Sequence, residues 1–128
     1  MREPDKRVDD LSYEVIGAAI AVHKVIGSGY IESVYENALC IELGFRNIPY
    51  EKQFPFVVQY RDAVVGEGRV DILVDKLLVV ELKSSERLVE AHMAQALYYL
   101  SALNLQLALL INFRSRVLKE GIRRVVQT

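Results

Sequence analysis

The first part of the chain carries its hydrophobic residues at helical spacing. Over residues 9–26 they recur every three or four positions, as a helix with one buried face requires. Asp9 or Asp10 can cap the first turn, where unpaired backbone N–H groups favour a carboxylate. The pattern therefore predicts a helix over 9–26, and its predicted buried face is formed by Leu11, Val15, Ala18, Ala19, Val22, Val25 and Ile26.

A glycine-rich break at 27–29 separates this helix from a second one. The spacing of apolar residues predicts the second helix over about 31–43. Its predicted buried side is formed by Val34, Ala38 and Ile41. Gly44 then follows, and glycine is the usual residue for a left-handed helix end. The N-terminal region is therefore predicted to form two consecutive helices.

The hydrophobic period then changes to the alternation that is typical of strands. Three segments rich in Val and other strand-forming residues are separated by pairs at 61–62 and 75–76 that suit tight turns. A third helix, which Ser84 or Ser85 can cap, and two further strands complete the pattern. The predicted strands are 54–60, 64–74, 77–82, 107–113 and 122–126, and the predicted third helix is 86–103.

The order of these elements is ααβββαββ, which places the chain in the α/β class as an α+β mixed sheet with helices packed on it. Residues 77–80 are apolar on both faces, which predicts a central strand covered on both sides. A length of 128 residues suits one domain over 1–128.

Composition narrows the classes of protein that this chain can belong to. It is 52% apolar and 26% charged, a balance typical of a globular protein, and the apolar share is compatible with a homodimer. A formal net charge of −1 does not indicate strong nonspecific binding to nucleic acid. The lone Cys40 and the two histidines, His23 and His92, do not favour a disulfide or a zinc cluster. A polar N-terminus and the lack of an apolar run of ~20 residues predict a cytoplasmic protein without a membrane span.

The strongest chemical signal is an acid followed ten residues later by an acid-x-lysine triplet. Glu81 and Lys83 are two apart and share one face of their strand, and the turn at 75–76 would return Asp71 beside them. Two carboxylates and an ammonium on an otherwise apolar sheet suit a hard divalent cation and a lysine that orients an attacking water. An ordinary strand surface, or a buried ion pair of Lys83 with one acid, is the structural alternative.

Two helices add polar residues that could support this patch. On the third helix, Gln95 and Tyr99 are four apart, with His92 one turn earlier, so their side chains could orient a carboxylate, a lysine or a phosphate. On the second helix, Glu32 and Tyr35 are three apart and share a face. A polar helix edge in the first case, and a carboxylate that complements the helix dipole in the second, are the structural alternatives.

Several separated motifs, in one order along nearly the whole chain, point to a known family. The most specific is Gly29-x-x-Glu32-x-x-Tyr35. The others are His23, 66–71, Glu81-Leu82-Lys83, 95–100, 110–113 and 121–124. On these residues the chain resembles the GxxExxY protein family, which is placed in the PD-(D/E)xK nuclease superfamily. One departure is Val70, which stands where the superfamily name has proline.

The resemblance implies a restriction-endonuclease-like core, αβββαβ, and hydrolysis of phosphodiester bonds in DNA, with RNA less favoured. Asp71 and Glu81 match the two metal carboxylates, and Glu32 matches the helix-borne acid that completes many such metal sites. Lys83 matches the catalytic lysine, and the implied cation is Mg²⁺ or Mn²⁺. A binding or assembly module that keeps the nuclease fold without turnover is the rival interpretation.

Four further residues receive supporting roles in this interpretation. Gln95 and Tyr99 match the Gln-x-x-x-Tyr element of the exonuclease-like branch of the superfamily. Together with His92 and Tyr35, they are expected to support the metal ligands or to contact the phosphate backbone.

Overall fold

The computed structural model describes residues 3–127, which form three α-helices, one 3₁₀ helix and five strands. The helices are α1 (Lys6–Ile26), α2 (Glu32–Phe45), α3 (Glu90–Leu103) and the 3₁₀ helix Leu118–Gly121. The strands are β1 (Tyr50–Tyr60), β2 (Ala63–Val74), β3 (Leu78–Lys83), β4 (Leu107–Asn112) and β5 (Ile122–Val126). The predicted order ααβββαββ is therefore confirmed.

The five strands form one mixed sheet in chain order, β1-β2-β3-β4-β5. β1, β2 and β3 make an antiparallel meander, β4 runs parallel to β3, and β5 returns antiparallel to β4. Both predicted tight turns are present. Arg61 and Asp62 have φ of 50° and 72°, and Asp75 and Lys76 have φ of 50° and 58°. The connection 61–62 has two residues between the paired Tyr60 and Ala63, and the connection 75–77 has three residues between the paired Val74 and Leu78.

β3 lies at the centre of the sheet and is buried on both faces, as its sequence predicts. Val80 and Leu82 belong to the core that α1 and α2 cover, whereas Val79 belongs to the smaller core beneath α3. Because side chains alternate along a strand, Glu81 and Lys83 share the α3 side with Val79. The architecture is consistent with the expected restriction-endonuclease-like core. None of the helices within residues 3–127 is long and apolar enough to cross a membrane.

The start and the buried face of α1 differ from the prediction. α1 begins at Lys6, so Asp9 and Asp10 lie inside the helix and neither is its cap. Val25, predicted to be buried, is 83% exposed. After Val22, the next residue that packs on the core is Ile26, four positions later, and Val25 lies on a neighbouring face of the helix.

The buried face of α2 matches the predicted one only in part. Its buried residues are Tyr35, Leu39, Cys40 and Leu43. Tyr35, Leu39 and Leu43 recur at four-residue spacing, and the predicted Ala38 is partly buried against the same core, whereas Val34 and Ile41 are exposed. Gly44 was predicted to be the left-handed cap, but it lies inside the helix, and Asn47 takes the left-handed conformation at φ 59°.

α3 begins at Glu90, later than predicted, and neither of the predicted serine caps is used. The segment 84–89 is instead tied to the end of β4. The N–H of Ser85 donates to Asn112 Oδ1 at 3.2 Å, and Asn112 Nδ2 donates to the carbonyl of Ser85 at 2.9 Å. These bonds hold the segment as a loop. Leu97 is exposed beside the buried residues Ala96 and Leu100 of α3.

Candidate active site

Asp71 and Glu81 meet where β2 and β3 separate. The ladder between the two strands ends at the pair Ile72 and Val80. Glu81 Oε2 then accepts the N–H of Asp71 at 2.6 Å, and Asp71 Oδ2 accepts the N–H of Leu82 at 2.8 Å. Each carboxylate satisfies a backbone donor at the point where strand pairing stops, and this fixes the two side chains next to each other. The predicted juxtaposition of these acids is confirmed.

Glu81 is a carboxylic acid that is only 3% exposed. Burial, followed by the charge of Asp71, raises the pKa of Glu81 to about 8. The hydrogen bond from the Asp71 backbone and the charge of Lys83 lower this pKa, but by less. The ionised form is therefore unfavourable here unless a cation compensates it.

Lys83 is held beside the acids by an amide. Its Nζ donates to Gln95 Oε1 at 3.2 Å, which joins the end of β3 to α3. Within residues 3–127, Lys83 forms no ion pair with Asp71 or Glu81. The buried ion pair considered as an alternative is therefore not what this structure contains, and the ammonium is positioned without being neutralised.

Tyr99 and His92 lie on the same helix but have different surroundings. The ring of Tyr99 packs against Phe56, with the two centroids 5.2 Å apart. Burial, and then the charges of Glu81 and Asp71, raise the pKa of Tyr99, so its hydroxyl lies within electrostatic reach of the acids. His92 Nδ1 accepts the N–H of Val89 at 3.1 Å, which makes His92 part of the N-terminal cap of α3.

Glu32 is the predicted third metal ligand, and it is exposed at the first position of α2. Its Oε2 accepts the N–H of Ser84 at 3.3 Å, and its charge contributes to the raised pKa of Glu81. In the part of the chain that the structure describes, no three Asp, Glu, His or Cys side chains converge into a ready metal site. The structure thus brings Asp71 and Glu81 together and leaves Glu32 near the pair without joining it.

Tyr35 lies in the core, away from solvent. Its ring stacks on Phe113 with the centroids 4.4 Å apart. Its hydroxyl donates to the carbonyl of Gly27 at 2.6 Å and accepts the N–H of Tyr30 at 3.3 Å. Tyr35 therefore shapes the loop that precedes Glu32, and its burial leaves no surface for the phosphate contact that the sequence suggested.

Glu36 is a fourth acid of this region that was not expected from the sequence. It is partly buried, and its Oε1 accepts Gln53 Nε2 at 2.8 Å. Burial raises the pKa of Glu36, and the charges of Asp71 and Glu32 raise it further. Glu36 follows Glu32 by four residues, so the two share a helix face, and that spacing was the available signal.

The donor set fits a hard divalent cation. Only one oxygen of each of the Asp71 and Glu81 carboxylates accepts a hydrogen bond within residues 3–127, so each has a second oxygen to offer. Carboxylate oxygens are the ligands that Mg²⁺ and Mn²⁺ prefer, and a cation would compensate the buried charge of Glu81. Asp71 and Glu81 are the residues that would hold it, with Glu32 and Glu36 adding negative charge nearby.

Comparison with known families agrees with this geometry. A family model that describes the PD-(D/E)XK nuclease superfamily matches residues 9–125. The chain belongs to this superfamily. Searches among curated proteins and among solved structures find no match.

The matched range includes the point where β2 and β3 separate. The assignment of Asp71 to the acid of the name and of Glu81-Leu82-Lys83 to its (D/E)XK triplet, with Val70 in the place of proline, stays a prediction. The finer assignment to the GxxExxY family stays a prediction. The comparisons give no support to the homodimer.

Proposed function

We propose that this chain is a divalent-metal-dependent nuclease that hydrolyses phosphodiester bonds in DNA, with RNA the less favoured substrate. The observation that carries the proposal is the crossed pair of Asp71 and Glu81 beside Lys83. A structural cluster would pair the lysine with an acid, whereas this site keeps the ammonium on an amide and the acids on backbone donors. Membership of a nuclease superfamily supports the same reading.

Asp71 and Glu81 would hold Mg²⁺ or Mn²⁺ through the carboxylate oxygens that accept no hydrogen bond within residues 3–127. When bound, such a cation polarises a phosphoryl oxygen and lowers the pKa of a water molecule on it. The N–H groups of Asp71 and Leu82 keep the two carboxylates in place before any ligand arrives. This preorganisation lowers the cost of assembling the site.

Lys83 would orient the attacking water and stabilise the negative charge that develops on the phosphoryl oxygens. Gln95 holds the Nζ of Lys83 and is therefore a positioning residue. The Tyr99 hydroxyl, partly buried and close to the acids, would donate to a phosphate oxygen. His92 acts through the first turn of α3, which it caps.

The proposal is tested by a cleavage assay on plasmid, single-stranded DNA and RNA in Mg²⁺ or Mn²⁺. Wild type is compared with Asp71→Asn and Lys83→Ala, and Lys24→Ala, at an exposed position of α1, is the matched control. We expect Lys83→Ala to lower the rate by at least about 100-fold, as the loss of one donor to developing charge does. Lys24→Ala should cut like wild type. Cutting by Lys83→Ala at the wild-type rate would contradict the assigned mechanism.

Metal binding can be measured separately from cutting. Mg²⁺ should raise the melting temperature of the wild type, because a ligand that binds only the folded state stabilises it. Lys83→Ala should keep this shift, since a lysine is not a ligand of Mg²⁺, and Asp71→Asn should lose most of it. A wild type with no shift in either Mg²⁺ or Mn²⁺ would refute the metal site.

A catalytically silent binding or assembly module with this fold is the second candidate. The formal net charge of −1 favours it, because it provides little nonspecific attraction to a phosphate backbone. This candidate predicts a metal-induced shift in melting temperature without cutting of any nucleic acid.

A further inference from the structure

A cleft of about 560 Å³ opens beside the candidate active site. It is lined by Gly29, Tyr30, Ile31, Glu32, Ser84 and Arg114. Ser84 follows Lys83 directly, and its N–H donates to Glu32, so two lining residues connect the cleft to the acids. A strand whose phosphate reached the acids would therefore have the cleft next to it.

The wall of the cleft that carries Tyr30 is already ordered. Gly29 has φ of 112°, a conformation that residues with a side chain rarely adopt. The N–H of Tyr30 donates to the Tyr35 hydroxyl, and its carbonyl accepts Ser84 Oγ–H at 3.1 Å. Tyr30 is nevertheless 52% exposed. An exposed aromatic ring on a fixed backbone is suited to stacking with an unpaired base.

Arg114 supplies positive charge on another wall of the cleft. Its N–H donates to Oδ1 of the buried Asn112 at 3.2 Å, which anchors its backbone to the end of β4. Across residues 3–127, the Arg114 side chain takes part in no ion pair and no hydrogen bond. A guanidinium without a partner, in a cleft next to acids, has the geometry to bind a phosphate through two N–H groups.

We propose that this cleft binds the nucleotide adjacent to the scissile phosphate, with its base stacked on Tyr30 and its phosphate bound by Arg114, so that the protein takes single-stranded nucleic acid. The inference rests on the proposed nuclease function and extends it by naming the form of the substrate. In a duplex both faces of a base are covered by its neighbours, so Tyr30 would find no face on which to stack.

Binding is measured by fluorescence anisotropy without divalent cation, so that no strand is cut. The probes are oligo-dT, oligo-rU, a DNA duplex and an abasic deoxyribose-phosphate strand, each of about 12 nucleotides, which covers a typical single-strand site. The wild type should bind oligo-dT or oligo-rU more tightly than the duplex. Whichever of the two it binds more tightly identifies the preferred single strand as DNA or RNA.

The variants separate the two contacts. Tyr30→Ala should weaken binding of the base-containing strand about 5- to 150-fold and leave the abasic strand unchanged, whereas Tyr30→Phe should bind like wild type. Arg114→Ala should weaken the binding of both strands and reduce the slope of log K against log salt by about 0.7. Arg116→Ala removes an exposed arginine that does not line the cleft and is the matched control. Circular dichroism shows whether each variant is folded.

The inference is overturned if the wild type binds no single strand or binds the duplex equally well. It is also overturned if Tyr30→Ala and Arg114→Ala both bind the single strand as tightly as the wild type does. The cleavage assay distinguishes this failure from failure of the proposed function. If the protein binds a strand through Tyr30 and Arg114 but does not cut it, the proposed nuclease function fails and the proposed role of the cleft stands. If the wild type cuts nucleic acid but the Tyr30 and Arg114 variants bind it normally, the proposed nuclease function stands and the proposed role of the cleft fails.

Discussion

At the scale of single residues, the proximity of Asp71, Glu81 and Lys83 was predictable, because strand geometry limits which side chains can lie next to one another. Glu81 and Lys83 are two apart on one strand, and the three-residue connection 75–77 places Val74 opposite Leu78, which is the register that brings Asp71 to Glu81. The contact of Glu36 with Gln53 was not predictable in the same way. Gln53 has φ of 50° inside β1, and no local pattern in the sequence indicates that conformation.

Tyr35 shows the limit of assigning a role from a motif alone. Tyr35 follows Glu32 by three residues and lies on the same side of the helix. This spacing is compatible with contact to a ligand beside Glu32 and equally with burial in the core. The outcome depends on Phe113 and Gly27, which are distant from each other in sequence and meet Tyr35 only in the folded chain. Tertiary packing therefore decides a question that spacing leaves open.

The raised pKa of Glu81 makes stability depend on pH. The folded-state pKa of about 8 lies above the ordinary value of 4.5, so between these values the folded state binds more protons than the unfolded state. The free energy of unfolding therefore falls as pH rises through this range. We expect Glu81→Gln, which keeps an oxygen to accept the Asp71 N–H, to be more stable than wild type by about 1–4 kcal/mol above pH 8. Near pH 4.5 and below, the two should be nearly equal.

Urea unfolding in the presence of a chelator, repeated across this pH range, measures the difference. Glu67→Gln is the matched control, since Glu67 is an exposed glutamate on β2 and its replacement should not change the pH dependence. A wild type whose stability does not fall between pH 4.5 and pH 8 relative to Glu81→Gln would show that Glu81 does not carry the buried charge.

At the scale of elements, strand positions and turns followed from the sequence better than helix ends did. A tight turn is set by two residues, whereas the start of α3 is set by bonds between 84–89 and Asn112, which comes later in the chain. Similarly, the N-cap residue of α1 is Asp5, whose side chain accepts a hydrogen bond from Gln106 and does not cap the first turn, so Asp9 and Asp10 do not mark the start of the helix. Helix ends that depend on distant contacts leave no local signature.

Gly44 offers a direct test of the corrected end of α2. The residue is inside the helix, and a Cβ added there would meet nothing within 4 Å. Gly44→Ala should therefore raise the free energy of unfolding by about 0.5–1 kcal/mol, because alanine is the better helix former. A left-handed cap at this position would give the opposite sign, since alanine is strained at positive φ. Urea unfolding decides between the two, and a loss of stability would restore the interpretation first made from the sequence.

At the scale of the whole molecule, the site lies where the best-buried part of the sheet meets the open end of a hairpin. β4 is buried along its whole length, and β3 is buried up to Lys83. The far half of the β1–β2 hairpin, over 57–65, is almost entirely exposed and lies beyond the point where β2 leaves β3. The acids are thus fixed by the most rigid strands, while the hairpin extends from them with little core of its own.

This distribution of burial predicts unequal local stability, which native-state amide hydrogen exchange can measure. Amides bonded in the β3–β4 pair should exchange only through global unfolding, because their strands are covered on both faces. Bonded amides over 57–65 should exchange at least about 10-fold faster after correction for intrinsic rates, because opening the hairpin exposes little apolar surface. Equal protection across the sheet would show that the hairpin opens only with the core. If the hairpin does open alone, it leaves the Asp71–Glu81 pair intact, since the Ile72–Val80 end of the ladder belongs to the covered part of the sheet.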